Sequence, residues 1–157
     1  MDGEPGDKDL YLNALLLIER LHRRLLDVLK AELDRVGRGD INNVQALILY
    51  NIGDDELTVG ELTYRGYYLG SNVSYNVKKL VENDYLLQAR SQHDKRSVRV
   101  KLSDKGLGLR DEVNALFERH VDKLFAPGAV PADQVAAMNA SLRKLERFWS
   151  SEVQFGG

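Results

Sequence analysis

The residues best equipped for chemistry sit close together mid-chain. Ser71, Asn72, Ser74, Tyr75, Lys78 and Lys79 fall within nine positions, and Lys95 and Arg96 follow further on. These are hydroxyls, an amide and cations. They suit polar edges and anions, and none stands in a pattern that activates a nucleophile. On a helix from Ser71 to about Asn83, Val73, Val77, Leu80 and Val81 turn inward, while Asn72, Ser74, Tyr75, Lys78, Lys79 and Glu82 take the opposite face. Thirteen helical residues span ~20 Å, enough to lie in a DNA major groove ~12 Å wide. There Asn72 suits adenine, Lys78 and Lys79 suit guanine or phosphate, and Ser71 and Ser74 suit either. Tyr75 offers a hydroxyl to phosphate and a ring edge to a thymine methyl, the amides near Ser71 favour phosphate, and Arg65 reaches the backbone from the preceding helix.

Two apolar runs flank Lys95 and Arg96: Leu86 to Arg90, and Ser97 to Leu102, where Val98, Val100 and Leu102 alternate with Arg99 and Lys101. The stretch is a hairpin with a basic tip. Arg96 suits a narrow minor groove, where negative potential is concentrated, and Lys95 suits the flanking phosphates. Asp94 would face phosphate charge, so its expected role is to hold the tip by pairing with Arg90 or Arg96.

Charge distribution supports a nucleic-acid partner although the net charge is −2. Nine of the 22 basic residues but only five of the 24 acidic ones lie between Thr58 and Lys105, a basic middle between acidic flanks. The sequence shows no nucleophile elbow, phosphate loop or dinucleotide fingerprint. Without cysteine there are no disulfides or thiolate metal sites, and His22, His93 and His120 are too scattered for a metal centre. Asp54-Asp55-Glu56 is a solvated acidic turn. No enzyme, cofactor or metal is expected. The acidic, Gly/Pro-containing start lacks a signal-peptide pattern and no apolar run reaches membrane-spanning length, so the expected location is the cytoplasm.

These groups need a scaffold, and its elements are legible. A first helix, about Leu10 to Val36, carries Leu15, Ile18, Leu25, Leu29 and Val36, with further leucines widening its apolar face beyond one stripe. Asn42 caps a second helix to about Asn51. Thr58-Val59-Gly60-Glu61 is a capping box that starts a third, ending near Arg65 and Gly66. With the Ser71 helix this makes a helix-turn-helix. Beyond the hairpin a fifth helix runs from Ser103 to about Phe125. A sixth follows Pro131, with Val135, Met138, Leu142, Leu145 and Trp149 on one stripe and a frayed tail from Ser150 to Gly157. The fold is therefore mainly α with a small β-hairpin. Residues 1–40 form an N-terminal dimerisation helix, 41–106 a winged helix-turn-helix DNA-binding lobe, and 107–157 C-terminal dimerisation helices. Neither end closes a core alone, and a two-fold homodimer would bury both stripes.

The middle of the chain resembles the MarR family of transcription regulators. The spacing from Glu61-Leu62 to Tyr85-Leu86 fits that family's third helix and first wing strand. Asp94-Lys95-Arg96-Ser97 is similar to its wing signature, and Leu102-Ser103-Asp104-Lys105-Gly106 to its Leu-Ser/Thr-x-x-Gly. Gln45 stands where members often carry Gln. Asp84 departs from the glycine usual before the first wing strand, and Ser71 to Lys79 hold less arginine than is usual, so the resemblance speaks to DNA binding more than to DNA sequence preference. It covers about Ile41 to Gly106 and implies a dimeric, cytoplasmic regulator on a near-palindromic operator. It also implies an aromatic acid effector that releases the DNA, the logic of a repressor, with His22, Gln45, Tyr50 and Arg65 as effector-site candidates; His22 equally fits a packing role. The sequence leaves activation or repression open. The alternative is a winged-helix protein-interaction module that does not bind DNA.

Overall fold

The computed structural model describes residues 3–64, 70–90, 98–126 and 128–155, without the side chain of Ser71. Helix α1 runs Asp7–Arg35, with Asp7 and Asp9 in its first turn and Arg35 in its last, each charge placed to complement the helix dipole. It ends where Gly37 takes φ 75°. The Arg38 amide bonds the Leu33 carbonyl at 2.9 Å and closes the last turn. Helix α2 is Asn43–Ile52. Asn42 caps it as expected, and Gln45 completes the box: the Gln45 amide donates to Asn42 Oδ1 at 2.8 Å and the Asn42 amide to Gln45 Oε1 at 3.1 Å.

Strand β1 (Leu57–Thr58) was not expected, because two residues are too short to show a period. Thr58 also caps α3 (Val59–Tyr64), its Oγ1 accepting from the Glu61 amide at 3.0 Å. Helix α4 is Gly70–Glu82, and the hairpin is β2 (Leu86–Arg90) with β3 (Val98–Leu102). The sheet is antiparallel in the order β1-β3-β2, pairing Leu57 with Val100 and Leu86 with Leu102.

Residues 1–114 form one compact unit, which includes the first half of α5 (Asp104–Leu124). Its core gathers Leu29 and Leu33 of α1, Ile48, Leu49 and Ile52 of α2, Leu62, Val73 and Leu80, Val100, and Leu109 and Val113, all buried. The packing thus runs across chain positions 40/41 and 106/107. In contrast, the start of α1 is uncovered: Leu10, Leu12, Leu16, Leu17 and Leu21 are exposed.

Residues 115–157 form the second unit. Helix α6 is Ala132–Phe155 and buries no residue completely. Val135, Leu145 and Trp149 are half-buried, while Met138 and Leu142 of the same stripe are exposed. The tail expected to fray stays helical to Phe155: Glu152 and Gln154 support a helix, and no glycine interrupts before Gly156. Among the described residues no helix is long and apolar enough to cross a membrane.

Candidate nucleic-acid interface

Helix α4 divides into two faces as its sequence implies. Val73, Val77 and Leu80 are buried, whereas Asn72, Ser74, Tyr75, Lys78 and Glu82 are exposed and Lys79 is half-buried. At ~100° per residue the outward groups spread over an arc of about 160°, wide enough for base edges and both groove walls. Lys79 bridges to Glu82 at 3.3 Å, with Nζ 5.8 Å from the Tyr75 ring centroid. Such a solvated pair holds loosely and yields readily to a phosphate. Lys78 is in no ion pair among the described residues. The side chain of Ser71, and Arg65, Asp94, Lys95 and Arg96, lie outside the described residues.

The two wing strands carry cations up to the tip. Arg90 pairs in register with Val98 and is exposed; Arg99 stands between Ala89 and Thr58, and Lys101 beside Leu87. The pairing of Arg90 with Asp94 expected at the tip falls outside the described residues together with Asp94.

Two sets of polar ties hold α4 from behind. One is a buried bond: Gln45 Nε2 donates to Asn76 Oδ1 at 3.2 Å, and Asn76 Nδ2 donates to the Asn72 carbonyl at 2.9 Å. Sequence reading placed Asn76 on neither face. Its spacing, three after Val73 and four before Leu80, marks it as a polar residue on the apolar stripe.

The second set grips the end of α4. Asp84 takes φ 64°, the left-handed conformation that explains the family's glycine at this place. The Tyr85 amide bonds the Leu80 carbonyl at 2.9 Å, and the wholly buried Tyr85 donates its hydroxyl to Asp40 Oδ1 at 2.6 Å. Lys105 Nζ lies 4.3 Å from the Tyr85 ring centroid and donates to Asp40 Oδ2 at 2.6 Å and to the Asn83 carbonyl at 2.9 Å. Arg38 makes a forked bridge to Glu112 at 3.0 and 3.2 Å, which holds its guanidinium above its usual range. For Asp40, burial pushes the carboxyl up, but the Lys105 and Tyr85 bonds outweigh it and hold the group below its ordinary value. The Lys105 ammonium is raised, mainly by the bond to Asp40. The Tyr85 phenol is raised by burial and then by Asp40.

The effector-site candidates are not equivalent. His22 is exposed on α1. Gln45 is buried, with both polar ends already bonded as described. Its buried amide is therefore a poor ligand contact, because engaging a ligand would break two ties. Tyr50 lines an open cleft of about 410 Å³ with Gly53, Asp54, Arg110, Asp111 and Asn114, a lining that includes neither His22 nor Gln45. Among the described residues no group of three or more His, Asp or Glu could hold a metal ion.

A short helix α3, a second helix α4 with its polar side outward, and a three-stranded sheet whose β1 precedes them and whose β2 and β3 follow define a winged helix-turn-helix fold. A family model for the winged helix DNA-binding domain matches residues 41–106. The exopolysaccharide II synthesis transcriptional activator ExpG of Rhizobium meliloti is 38% identical over 162 residues, spanning 99% of this chain and 81% of that protein. AbsC, a MarR family transcriptional regulator of Streptomyces coelicolor, shares the fold with a TM-score of 0.73 at 15% identity, over 96% of this chain and 99% of that one. FabT of Streptococcus pneumoniae, solved in complex with DNA, gives 0.69 at 20% identity, over 90% and 98%. The chain belongs to the family of winged helix DNA-binding transcription regulators that includes ExpG, a regulator and not an enzyme, and its fold is that of the MarR family regulators.

Proposed function

We propose that the protein works in the cytoplasm as a homodimer that reads a near-palindromic operator, one half-site per protomer about one helical turn apart. The observation that carries this reading is the outward arc of α4: Asn72, Ser74, Tyr75, Lys78 and Lys79 share one side of a helix whose other side is core. In this reading Asn72 meets adenine, Lys78, Lys79, Ser71 and Ser74 meet guanine or phosphate, Tyr75 meets phosphate or a thymine methyl, Arg65 contacts phosphate, Arg96 enters the minor groove and Lys95 sits on flanking phosphate. Arg90 and Asp94 brace the wing.

Dimerisation draws support from exposed apolar side chains that water disfavours, among them Leu12, Leu16 and Leu21 of α1, and Met138, Leu142 and Phe148 of α6. A small aromatic acid that altered the spacing of the two α4 helices would release the DNA. His22, Tyr50 and Arg65 remain contacts to test; Gln45 is the weakest of the four. The name of the Rhizobium meliloti relative makes activation, rather than repression, a second reading of the sign of control.

The test is selection of bound fragments from a random DNA pool, followed by titration of the selected and a scrambled duplex at several salt concentrations. Selected DNA is expected to bind at least ~10³-fold more tightly. Arg96→Ala should weaken both duplexes and flatten the salt slope by about one unit for each phosphate left unneutralised, whereas Asn72→Ala should change base preference. Equal binding of both duplexes by the unmodified protein refutes specific reading, and no salt-dependent binding at all leaves the protein-interaction module.

A further inference from the structure

Asn76 is only 9% exposed and Gln45 only 7%, and both lie among the aliphatic side chains that seat α4. An apolar residue at 76 would pack there without hydrogen-bond demands. Instead an unbroken polar chain leads from the Asn42 amide at the start of α2, through Gln45 Oε1 and Nε2, to Asn76 Oδ1, and through Asn76 Nδ2 to the Asn72 carbonyl. The chain ends on the backbone of a residue whose side chain stands on the outward face.

Apolar contacts and hydrogen bonds constrain a helix differently. Hydrophobic packing is non-directional and tolerates a small rotation. A side-chain hydrogen bond is lost within a few tenths of an ångström past its limit. Turning α4 by ~20° about its axis moves a side-chain end at ~5 Å radius by ~2 Å, more than the 3.2 Å bond between Gln45 and Asn76 can absorb. Gln45 Nε2 and Asn76 Oδ1 would then be buried without partners, which is costly. Alternative rotations are thereby disfavoured. Replacing both partners of such a buried pair by apolar groups of the same shape can be nearly neutral or stabilising, and a buried polar pair can serve instead to select one packing.

We propose that Gln45 and Asn76 are positioning residues that lock the rotation of α4, and so set which base edges Asn72, Ser74 and Lys78 meet. The inference rests on α4 being the DNA-reading helix. Neither residue touches DNA; both act through the angle at which others arrive.

The test compares the unmodified protein with Gln45→Leu, Asn76→Leu and the double variant, using the selected and scrambled duplexes. Each single variant leaves one buried polar end without its partner, Asn76 Oδ1 in Gln45→Leu and Gln45 Nε2 in Asn76→Leu, and should lower the melting temperature. The double variant removes both polar groups while the Asn42 side-chain cap on α2 remains, so most of the thermal stability should return. Its preference for selected over scrambled DNA should nonetheless fall at least tenfold, with an unchanged salt slope because no phosphate-binding group is altered. A double variant as stable and as selective as the unmodified protein overturns the lock. If the double variant does not fold, Asn76→Ser is read for the same ratio below its melting temperature, and an undiminished ratio overturns the lock equally. A failure of DNA reading itself shows in the unmodified protein, as no preference between the duplexes, and is distinct from either result.

Discussion

Two glycines of one helix should respond to alanine with opposite signs. Gly106 and Gly108 both lie in the first turns of α5, where alanine is favoured over glycine by up to ~1 kcal/mol. At 108 an added Cβ meets only the Arg38 guanidinium, at 3.6 Å, an ordinary contact with the end of a flexible side chain. At 106 it would fall well inside 3.0 Å of the Tyr85 carbonyl oxygen and 3.3 Å from Leu102 Cβ and Cγ. That carbonyl is backbone and already accepts from the Ser103 amide at 3.0 Å, while Ser103 Oγ bonds the Asp84 carbonyl and caps the Gly106 amide. The clash cannot be relieved by a rotamer change; α5 must move off the base of the wing. Overpacking of this kind costs about 1–3 kcal/mol. A rigid backbone neighbour places Gly106→Ala near the upper end, about 2 kcal/mol destabilising after the helix-propensity gain. Gly108→Ala should stabilise by about 0.5–1 kcal/mol. Urea unfolding at one fixed protein concentration resolves the difference, since with a slope of about 2 kcal/mol/M the two midpoints separate by more than ~1 M. If Gly106→Ala proves as stable as Gly108→Ala, the close approach of α5 to Tyr85 is wrong, and with it the account of why the Leu-Ser-x-x-Gly motif ends in glycine.

Asp84→Gly should stabilise by about 0.5–1 kcal/mol in the same assay, because the left-handed conformation at φ 64° strains any residue with a Cβ; a loss of stability would show that the aspartate contributes more than its backbone conformation costs. Tyr85→Phe removes the hydroxyl that serves Asp40 and should cost about 1–2 kcal/mol near neutral pH. The depressed Asp40 carboxyl contributes stability that is present above its ordinary value of 3.8 and is lost as pH falls through its lower folded value. Asp40→Asn should therefore flatten the acid limb of stability below about pH 4, and an acid limb identical to that of the unmodified protein would remove Asp40 from the account. The raised Lys105 ammonium works at the other end, its contribution lost only as pH rises above its ordinary 10.5, so Lys105→Met should level the alkaline limb.

What the sequence made legible was local. Asn42 and Thr58 announced their helices because a cap needs only a side chain three residues from its amide. The outward arc of α4 followed from a single period. Long-range polar ties were not legible: nothing in the chain says that Tyr85 will donate to Asp40, 45 residues away, or that Lys105 will reach the same carboxylate across 65. Asp84 stood out in the sequence only as a departure from the family's glycine, and the reason for that glycine is visible only as a backbone angle. Gln45 was drawn toward a ligand by its polarity at a position where members often carry it. Its actual neighbours, Asn42 and Asn76, reveal a residue used up in holding two helices together.

The same distinction bears on how the DNA-binding face is tested. Alanine at Asn72, Ser74 or Lys78 removes a group that projects freely, so stability should hardly change and weaker binding reports directly on what that group touches. Alanine at Asn76, Tyr85 or Asp40 unseats α4 instead, through bonds to Gln45, to the linker between α1 and α2, and to the start of α5. Both classes would weaken DNA binding in a scan that reads affinity alone. Only the second should lower the unfolding midpoint as well. A residue on the outward arc whose alanine variant loses stability along with binding would mean that the arc is partly covered, and the polar face would then belong to the packing of the protein before it belonged to its operator.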